Sequence, residues 1–428
     1  MSRRATISGA ALSATVASAA VYGLEPSITK YAVAAPAWLA GILLWERAGR
    51  RTRIQVLVLA GLGLASMGLA WARGGRIDPG LALAGNAMLI AMLAAVTFLR
   101  LVTHAEPETG HAPPRGRTAV WSTLLGVHLF GAVINLSVVF IMADRLVREA
   151  RLQAGQVSVL TRGFAAAAFW SPFFAAMAAA LTYAPGASPT LLISAGLPLA
   201  ALAIAYTGFT MSRERVARFE GYPMRYTTLW LPAVLAVLVL TLHQVWPDWP
   251  VLGIICLLAP TVALAHSARG ARVTPHPLVR HLRTGLPAMA NELLLFLAAG
   301  LFAAGVGALF GTFGGWLPFE HFGAPQAAAT LLAMWLIALV GVHPVIGIAV
   351  LGSLLAPLDP DPTLLAMTFL AAWGASVPAS PFSGMNLALQ GRYDIPPLAF
   401  PRWNGVYGLV MLAAASGVFF VYERLASG

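Results

Sequence analysis

Long apolar segments alternate with short arginine-bearing segments along the whole chain. Eleven predicted spans occupy 7–24, 30–46, 54–72, 79–103, 157–183, 189–211, 226–245, 250–266, 285–311, 362–388 and 405–422, and two further apolar segments occupy 119–142 and 326–353. Segments of this length cross, or enter and leave, a hydrocarbon core about 30 Å thick. Abundant alanine and leucine favour helices over a membrane β-barrel. The pattern predicts an all-α polytopic membrane protein.

The arginine clusters orient these segments, because positively charged loops favour the cytoplasmic side. Arg3 and Arg4 place the N-terminus in the cytoplasm, and residues 212–225, with four arginines, are predicted as a cytoplasmic linker. That placement requires one preceding segment to return to its own side, and 119–142 is best explained as a re-entrant hairpin. The same reasoning makes 326–353 a second hairpin and leaves the C-terminus outside a bacterial inner membrane.

The amino-acid composition supports a membrane protein and argues against a soluble or a nucleic-acid-binding protein. Hydrophobic residues make up 59% of the 428 residues, charged residues 10%, and the mean hydropathy is +0.77, which does not suit a soluble domain. The net charge of +11 arises from loop arginines, so a nucleic-acid partner is not expected. The single Cys256 excludes an intramolecular disulfide and a cysteine-based metal cluster. We expect the lipid bilayer to be the main surrounding of the chain.

An internal repeat divides the chain. Three landmarks recur in order: Asn86 and Asn291, 205 residues apart; Gly126-Val-His128 and Gly341-Val-His343, 215 apart; and Trp170 and Trp373, 203 apart. Shared order at similar spacing predicts a duplication. The arginine-derived directions make it inverted, with residues 30–211 as the first repeat and 226–428 as the second. Residues 1–29 precede the repeats as a first span. Arg3-Arg4 with Ala17-Ser-Ala19 also resembles a cleaved signal, but the next apolar segment follows at once, which favours the span.

Each repeat carries a helix interruption, Ser171-Pro172 within 157–183 and Ser380-Pro381 within 362–388. Serine is a favoured helix N-cap and proline a favoured first helical residue, so both sites predict a helix that starts inside the membrane. Two such N-termini aimed at one central site favour a small anion or a carboxylate. The second interruption has six extra residues after Trp373, which predicts a longer unwound segment.

This order of spans, hairpins and interrupted helices resembles the ion transporter superfamily, which includes divalent-anion/sodium symporters and the membrane subunits of tripartite periplasmic transporters. The resemblance is architectural and covers about 30–428. The Ser-Asn-Thr signatures of the symporters are absent; Gly-Val-His and Ser-Pro-Phe stand in their places. The resemblance implies a homodimer in which a hairpin-bearing transport domain moves in elevator fashion, with substrate held between hairpin tips and helix breaks.

The candidate site consists of polar and ionisable residues at or near these features. Those predicted to bind substrate are His128, Ser171, His343, Ser380, Ser383 and Asn386, and those predicted to couple a proton or ion are Glu292, His128, His343, Asn135 and Arg162. Each has a structural alternative. The histidines suit neutral rings bonded to carbonyl groups, the serines and asparagines suit capping or helix packing, and Arg162 suits snorkelling to an interface.

These features predict a secondary active transporter for a small anionic substrate, driven by a proton or sodium gradient, without another cofactor. An exporter or a membrane permease subunit with a partner protein is the alternative. A membrane-embedded enzyme using His128, His343 and Glu292 is a remote third hypothesis, because the sequence lacks a metal-binding histidine pair on one helix and an activated nucleophile.

Overall fold

The computed structural model describes residues 3–25, 29–102, 114–134, 136–147, 151–211, 216–222, 230–269, 276–313 and 319–427. These residues form helices without β-strands. The helices are α1 Arg3–Leu24, α2 Lys30–Leu44, α3 Arg50–Ala72, α4 Pro79–Ala84, α5 Ala87–Thr97, α6 Gly116–Ile134, α7 Ser137–Val147, α8 Ala154–Ala166, α9 Ala175–Tyr183, α10 Pro189–Thr210, α11 Trp230–Val245, α12 Val251–Arg269, α13 His276–Arg280, α14 Ala290–Thr312, α15 Ala324–Leu339, α16 Pro344–Leu355, α17 Pro362–Ser376, α18 Gly384–Tyr393 and α19 Ala399–Ala426.

The chain folds into two compact units, and both halves of the sequence contribute to each. Unit 1 comprises Met1–Thr103, Leu231–Glu320 and Ile348–Asp359, and unit 2 comprises His104–Trp230, His321–Gly347 and Pro360–Gly428. Both predicted helix interruptions belong to unit 2. Arg162 and both candidate histidines belong to it as well, so most of the candidate site residues lie in unit 2.

Several helices begin as local sequence signals predict. Asp361 is the N-cap of α17, its side chain accepts from the Leu364 amide at 2.7 Å, and Pro362 is the first helical residue. Asp78 caps α4 in the same way, followed by Pro79. A short polar side chain satisfies a helical N–H that has no partner within the helix, and proline lacks such an N–H.

Small residues bring helices of unit 1 into close contact. A Cβ atom on Gly305 of α14 would lie 2.2 Å from the Gly63 carbonyl oxygen of α3, so the two backbones touch where both residues lack a side chain. Close packing through small residues is the usual basis of helix association in membranes. Met67, Ala82 and Ala304 form a small apolar cluster in the same unit.

The length of the helices supports six of the eleven predicted spans. In the part of the chain that the structure describes, six helices are long and apolar enough to cross a membrane: Arg3–Gly23, Arg50–Ala72, Pro79–Leu101, Pro189–Thr210, Pro277–Thr312 and Ala399–Ala426. Several other predicted spans are shorter or interrupted helices. The segment 157–183 contains α8, a 3-10 turn and α9, and the segment 362–388 is divided between α17 and α18.

Candidate functional site

The first helix break is a β-turn rather than a helix start. The Phe174 N–H donates to the Ser171 carbonyl at 3.2 Å, which places Pro172 at the second position of the turn. Proline is favoured there because its fixed φ matches the turn. The Ser171 hydroxyl also accepts from the Phe173 N–H at 3.3 Å. Helix α9 therefore begins at Ala175, and the predicted start at Ser171-Pro172 is wrong.

The second break has the same construction. The Ser383 N–H donates to the Ser380 carbonyl at 3.4 Å, and the Ser380 hydroxyl accepts from the Phe382 N–H at 3.3 Å. Helix α18 begins at Gly384, so the predicted start at Ser380-Pro381 is also wrong. Ser-Pro-Phe thus forms two equivalent turns that are 209 residues apart.

Each turn is bonded through its buried serine to a neighbouring pair of helices. We call α6 with α7 the first helix–turn–helix and α15 with α16 the second. The Ser171 hydroxyl donates to the Ala132 carbonyl near the end of α6 at 2.5 Å, and the Ser380 hydroxyl donates to the Ala338 carbonyl near the end of α15 at 2.6 Å. Carbonyls in the last turn of a helix have no partner within that helix. Ser171 supplies that partner to the Ala132 carbonyl, and Ser380 adds a donor to the Ala338 carbonyl, which also accepts from the Gly341 N–H at 3.3 Å. The two serines thus bond at matched places, a relation that the sequence did not predict.

We predict that Ser171→Ala and Ser380→Ala each lower the melting temperature of the purified protein by a few degrees. Each change removes a donor from a carbonyl that water does not reach, at a cost of about 1 kcal/mol. Thermal unfolding in one detergent measures the effect. Ser194→Ala is the control, because that exposed hydroxyl bonds to a carbonyl of its own helix; an equal loss in this control would contradict the prediction.

Ser383 and Asn386 join the two halves of the second broken helix. The Ser383 hydroxyl donates to the Val377 carbonyl at 3.0 Å and accepts from the Asn386 N–H at 3.3 Å as the N-cap of α18. The Asn386 amide nitrogen lies 3.0 Å, 3.1 Å and 2.8 Å from the carbonyl oxygens of Val377, Pro378 and Ser380. This one side chain therefore satisfies the unwound end of α17. Its own Oδ1 is buried without a hydrogen-bond partner among the described residues.

The extra residues of the second break are divided between helix and turn. Helix α17 continues through Ser376, and only a short turn separates it from Ser380. Three of the six extra residues after Trp373 therefore lengthen the helix, and the other three lengthen the turn. The stretch without helix covers 377–383 in the second break and 170–174 in the first, so the second is longer by two residues.

His128 is buried within α6 and bonded at both ring nitrogens. Its Nδ1 lies 3.1 Å from the Gly163 carbonyl, and the indole N–H of Trp170 donates to its Nε2 at 3.2 Å. An acceptor at Nδ1 and a donor at Nε2 define the neutral tautomer with the proton on Nδ1. This geometry agrees with the structural alternative for His128, and its role in binding or coupling stays a prediction.

His343 occupies a different place. It lies at the turn between α15 and α16, where its Nδ1 accepts from the Val345 N–H at 3.2 Å and its ring packs edge-on against Trp373 at 5.4 Å between centroids. Gly341, at φ +119°, adopts a backbone conformation that favours glycine. Gly126-Val-His128 lies inside α6 instead, so the two Gly-Val-His motifs are not structurally equivalent.

Arg162 connects α8 to α19 beside the second break. Its Nε donates to Asn404 Oδ1 at 2.8 Å, and its terminal nitrogen donates to the Trp403 carbonyl at 2.6 Å. Its guanidinium carbon lies 5.8 Å and 5.2 Å from the ring centroids of Tyr206 and Tyr407. A cation over aromatic faces is electrostatically stabilised. Arg162 is thus held within the unit rather than extended alone to an interface.

Hydrogen bonds link Arg162 to the break itself. Asn404 accepts from Arg162 through Oδ1 and donates through Nδ2 to the Pro378 carbonyl at 2.9 Å. Pro378 lies in the turn that follows α17. The structure therefore brings together Arg162, Ser380, Ser383 and Asn386 through a continuous set of bonds.

The remaining candidates lie elsewhere. Asn135 is outside the described residues. Glu292 belongs to unit 1, where it is half-buried near the start of α14 and interacts electrostatically with Arg100. In the same unit, the Thr97 hydroxyl lies 3.1 Å from His281 Nε2. Within the described residues, no group of three or more His, Cys, Asp or Glu side chains is arranged to hold a metal ion.

Sequence reasoning missed a polar contact at the end of α18. Asp144 of α7 forms an ion pair with Arg392 at 2.5 Å and accepts a hydrogen bond from the Tyr393 hydroxyl at 2.6 Å. Burial and the bond to Asp144 raise the pKa of Tyr393. The contact joins the first helix–turn–helix to the second broken helix, and no local sequence signal marks it because its partners are about 250 residues apart.

Comparisons with known proteins give no family. No family model matches the chain, and no curated protein sequence matches it. Among solved structures, the chain is similar to the YdaH transporter of Alcanivorax borkumensis, with a TM-score of 0.46 and 15% identity over 86% of this chain and 85% of that chain. The comparisons therefore assign neither a family nor a substrate.

Proposed function

We propose that this chain is a secondary active transporter that moves a small anion or carboxylate across the membrane. The observation that carries the proposal is the pair of equivalent Ser-Pro-Phe breaks, each fastened by its serine to a helix–turn–helix. Broken helices in paired repeats are a common construction of transporter sites, because the break exposes backbone groups at membrane depth.

The substrate is an anion because the polar network beside the second break contains a cation. Arg162 is the charged member of that network, and Asn404 and two aromatic rings hold it in place. A guanidinium presents several N–H donors in a fork that matches a carboxylate. The start of α9 adds backbone N–H groups without a side-chain cap, since its N-cap residue is Phe174.

A proton or sodium gradient drives the transport. The Asn386 Oδ1 atom is a buried oxygen of the kind that binds a sodium ion at an unwound helix. His343, half-buried at the turn of the second helix–turn–helix, is a group that a proton can occupy. We further propose a homodimer in a bacterial inner membrane, with the helix–turn–helix elements moving in elevator fashion.

A binding screen followed by flux measurement tests the proposal. The purified protein is heated with acetate, succinate, citrate, phosphate or sulfate, each with sodium or choline as counterion, and the stabilising anion is then offered in labelled form to proteoliposomes. We expect stabilisation by at least one anion and uptake that depends on a proton or sodium gradient. Stabilisation by none of them, or uptake equal to that of empty liposomes, would contradict the proposal.

A further inference from the structure

A cavity in unit 1 has the chemistry of a binding site for a charged headgroup. Its volume is about 210 Å³, and it lies beside the first turn of α4. Two opposite charges, Lys30 and Asp78, and the Tyr22 ring lie at its wall, and the remaining lining includes Val33, Leu81 and Met88. A polar mouth over an apolar wall suits a ligand that is charged at one end and apolar at the other.

The two charges lie near each other without forming an ion pair. The position that a Cβ of Gly80 would occupy is 2.2 Å from Lys30 Nζ and 3.0 Å from Asp78 Oδ1. Among the residues that the structure describes, neither group has an ion-pair partner. Glycine at position 80 therefore leaves room for the ammonium group beside the carboxylate.

Both charged groups retain bonding capacity toward a ligand. Asp78 Oδ1 accepts from the Gly80 and Leu81 N–H groups at 2.7 Å and 3.1 Å. A carboxylate has about four acceptor positions, so the other oxygen is available to an ammonium. The Lys30 ammonium offers three donors, which suit a phosphate. The paired charges thus match a zwitterion rather than a simple anion.

We propose that this cavity binds the phosphoethanolamine group of an aminophospholipid, with the phosphate at Lys30 and the amine at Asp78. Lys30 is the first residue of α2 and Asp78 immediately precedes α4, so both charges stand at the ends of predicted spans, at the depth of lipid headgroups. The apolar wall then faces the glycerol and the first acyl carbons. This site is separate from the residues of the proposed transport function and does not depend on it.

Native mass spectrometry of the purified, delipidated protein tests the proposal with short-chain probes. Dihexanoyl phosphatidylethanolamine is compared with dihexanoyl phosphatidylcholine, dihexanoyl phosphatidylglycerol and free phosphoethanolamine. We expect the ethanolamine lipid to bind at least about tenfold more tightly than the choline and glycerol lipids, because only it offers both a phosphate and a primary amine. Equal binding of all three lipids would overturn the proposal. Tighter binding of free phosphoethanolamine than of the lipid would support the charged site but overturn the lipid as its ligand.

Three variants separate the site from general lipid binding. Lys30→Gln and Asp78→Asn each remove one charge and are expected to weaken the ethanolamine lipid about tenfold, while asparagine still caps α4. Gly80→Ala keeps both charges but displaces the flexible Lys30 side chain, and it should weaken binding while the protein remains folded. Arg76→Gln changes a nearby exposed arginine outside the lining and should bind as the wild type does. Unchanged binding in Lys30→Gln and Gly80→Ala would overturn the proposal.

Discussion

Asn386→Leu is expected to destabilise the protein by about 2 kcal/mol, the largest stability effect that we predict for a single side chain. The change withdraws an amide from three carbonyl groups at the end of α17. The amide has two N–H donors, and each buried hydrogen bond that is lost costs about 1 kcal/mol. The three carbonyl groups keep other donors, from the Ser383 hydroxyl, the Asn404 amide and the Ser383 N–H, so none of them is left without a partner. The expected result is a sharp fall in melting temperature and in the monodisperse fraction after purification.

Gln390→Leu is the matched control for that variant. Gln390 lies one turn further along α18 and bonds to a single carbonyl, that of Pro381. Its replacement removes one bond from a half-buried position, so we expect a loss of about 1 kcal/mol. If the two leucine variants unfold at the same temperature, Asn386 does not hold the break together as the structure indicates.

Local sequence signals located the helix breaks to within a few residues but mistook their geometry. Serine followed by proline is favoured both at a helix N-terminus and in the first two positions of a β-turn. Whether a helix start or a β-turn forms depends on a carbonyl at the end of another helix, about 40 residues away. The serine hydroxyl reaches that carbonyl only in the folded chain. Sequence therefore predicted that α17 and α18 would be separate helices, and tertiary contact decided where the second begins.

The motifs from which the repeat was predicted differ in whether their two copies have the same structural surroundings. Ser-Pro-Phe recurs in equivalent turns, whereas Gly-Val-His recurs at a helix interior in one half and at a turn in the other. Its spacing of 215 residues was already the largest of the three offsets. A three-residue match carries little information unless its structural surroundings also match, and those surroundings are not visible in one sequence.

Candidate residues were easier to select than their partners. A polar or charged residue inside an apolar segment is costly, which made Arg162 and Asn386 visible from the sequence. Asn404 and Tyr407, the residues that hold Arg162, lie in a helix whose sequence shows no unusual feature. Partners more than 200 residues away depend on how the helices of unit 2 pack, and hydrophobic periodicity does not define that packing.

Arg162→Gln is expected to abolish uptake of the stabilising anion, while Arg162→Lys retains a measurable fraction. Glutamine removes the charge, and charge-assisted hydrogen bonds contribute about 1.5–3 kcal/mol, which corresponds to at least about tenfold in affinity. Lysine keeps the charge but loses the fork that bonds to Asn404 and Trp403. Anion affinity from the thermal screen and initial uptake rates measure the two effects.

The comparison of the two variants separates anion binding from structural support. Both lose the bonds from Arg162 to α19, so both are expected to melt at a lower temperature by a similar amount. Only the glutamine variant also loses the positive charge that an anion requires. Arg402→Gln, which changes an exposed arginine of α19, should keep both stability and uptake. Equal uptake by the lysine and glutamine variants would mean that Arg162 supports the fold and that the anion binds elsewhere.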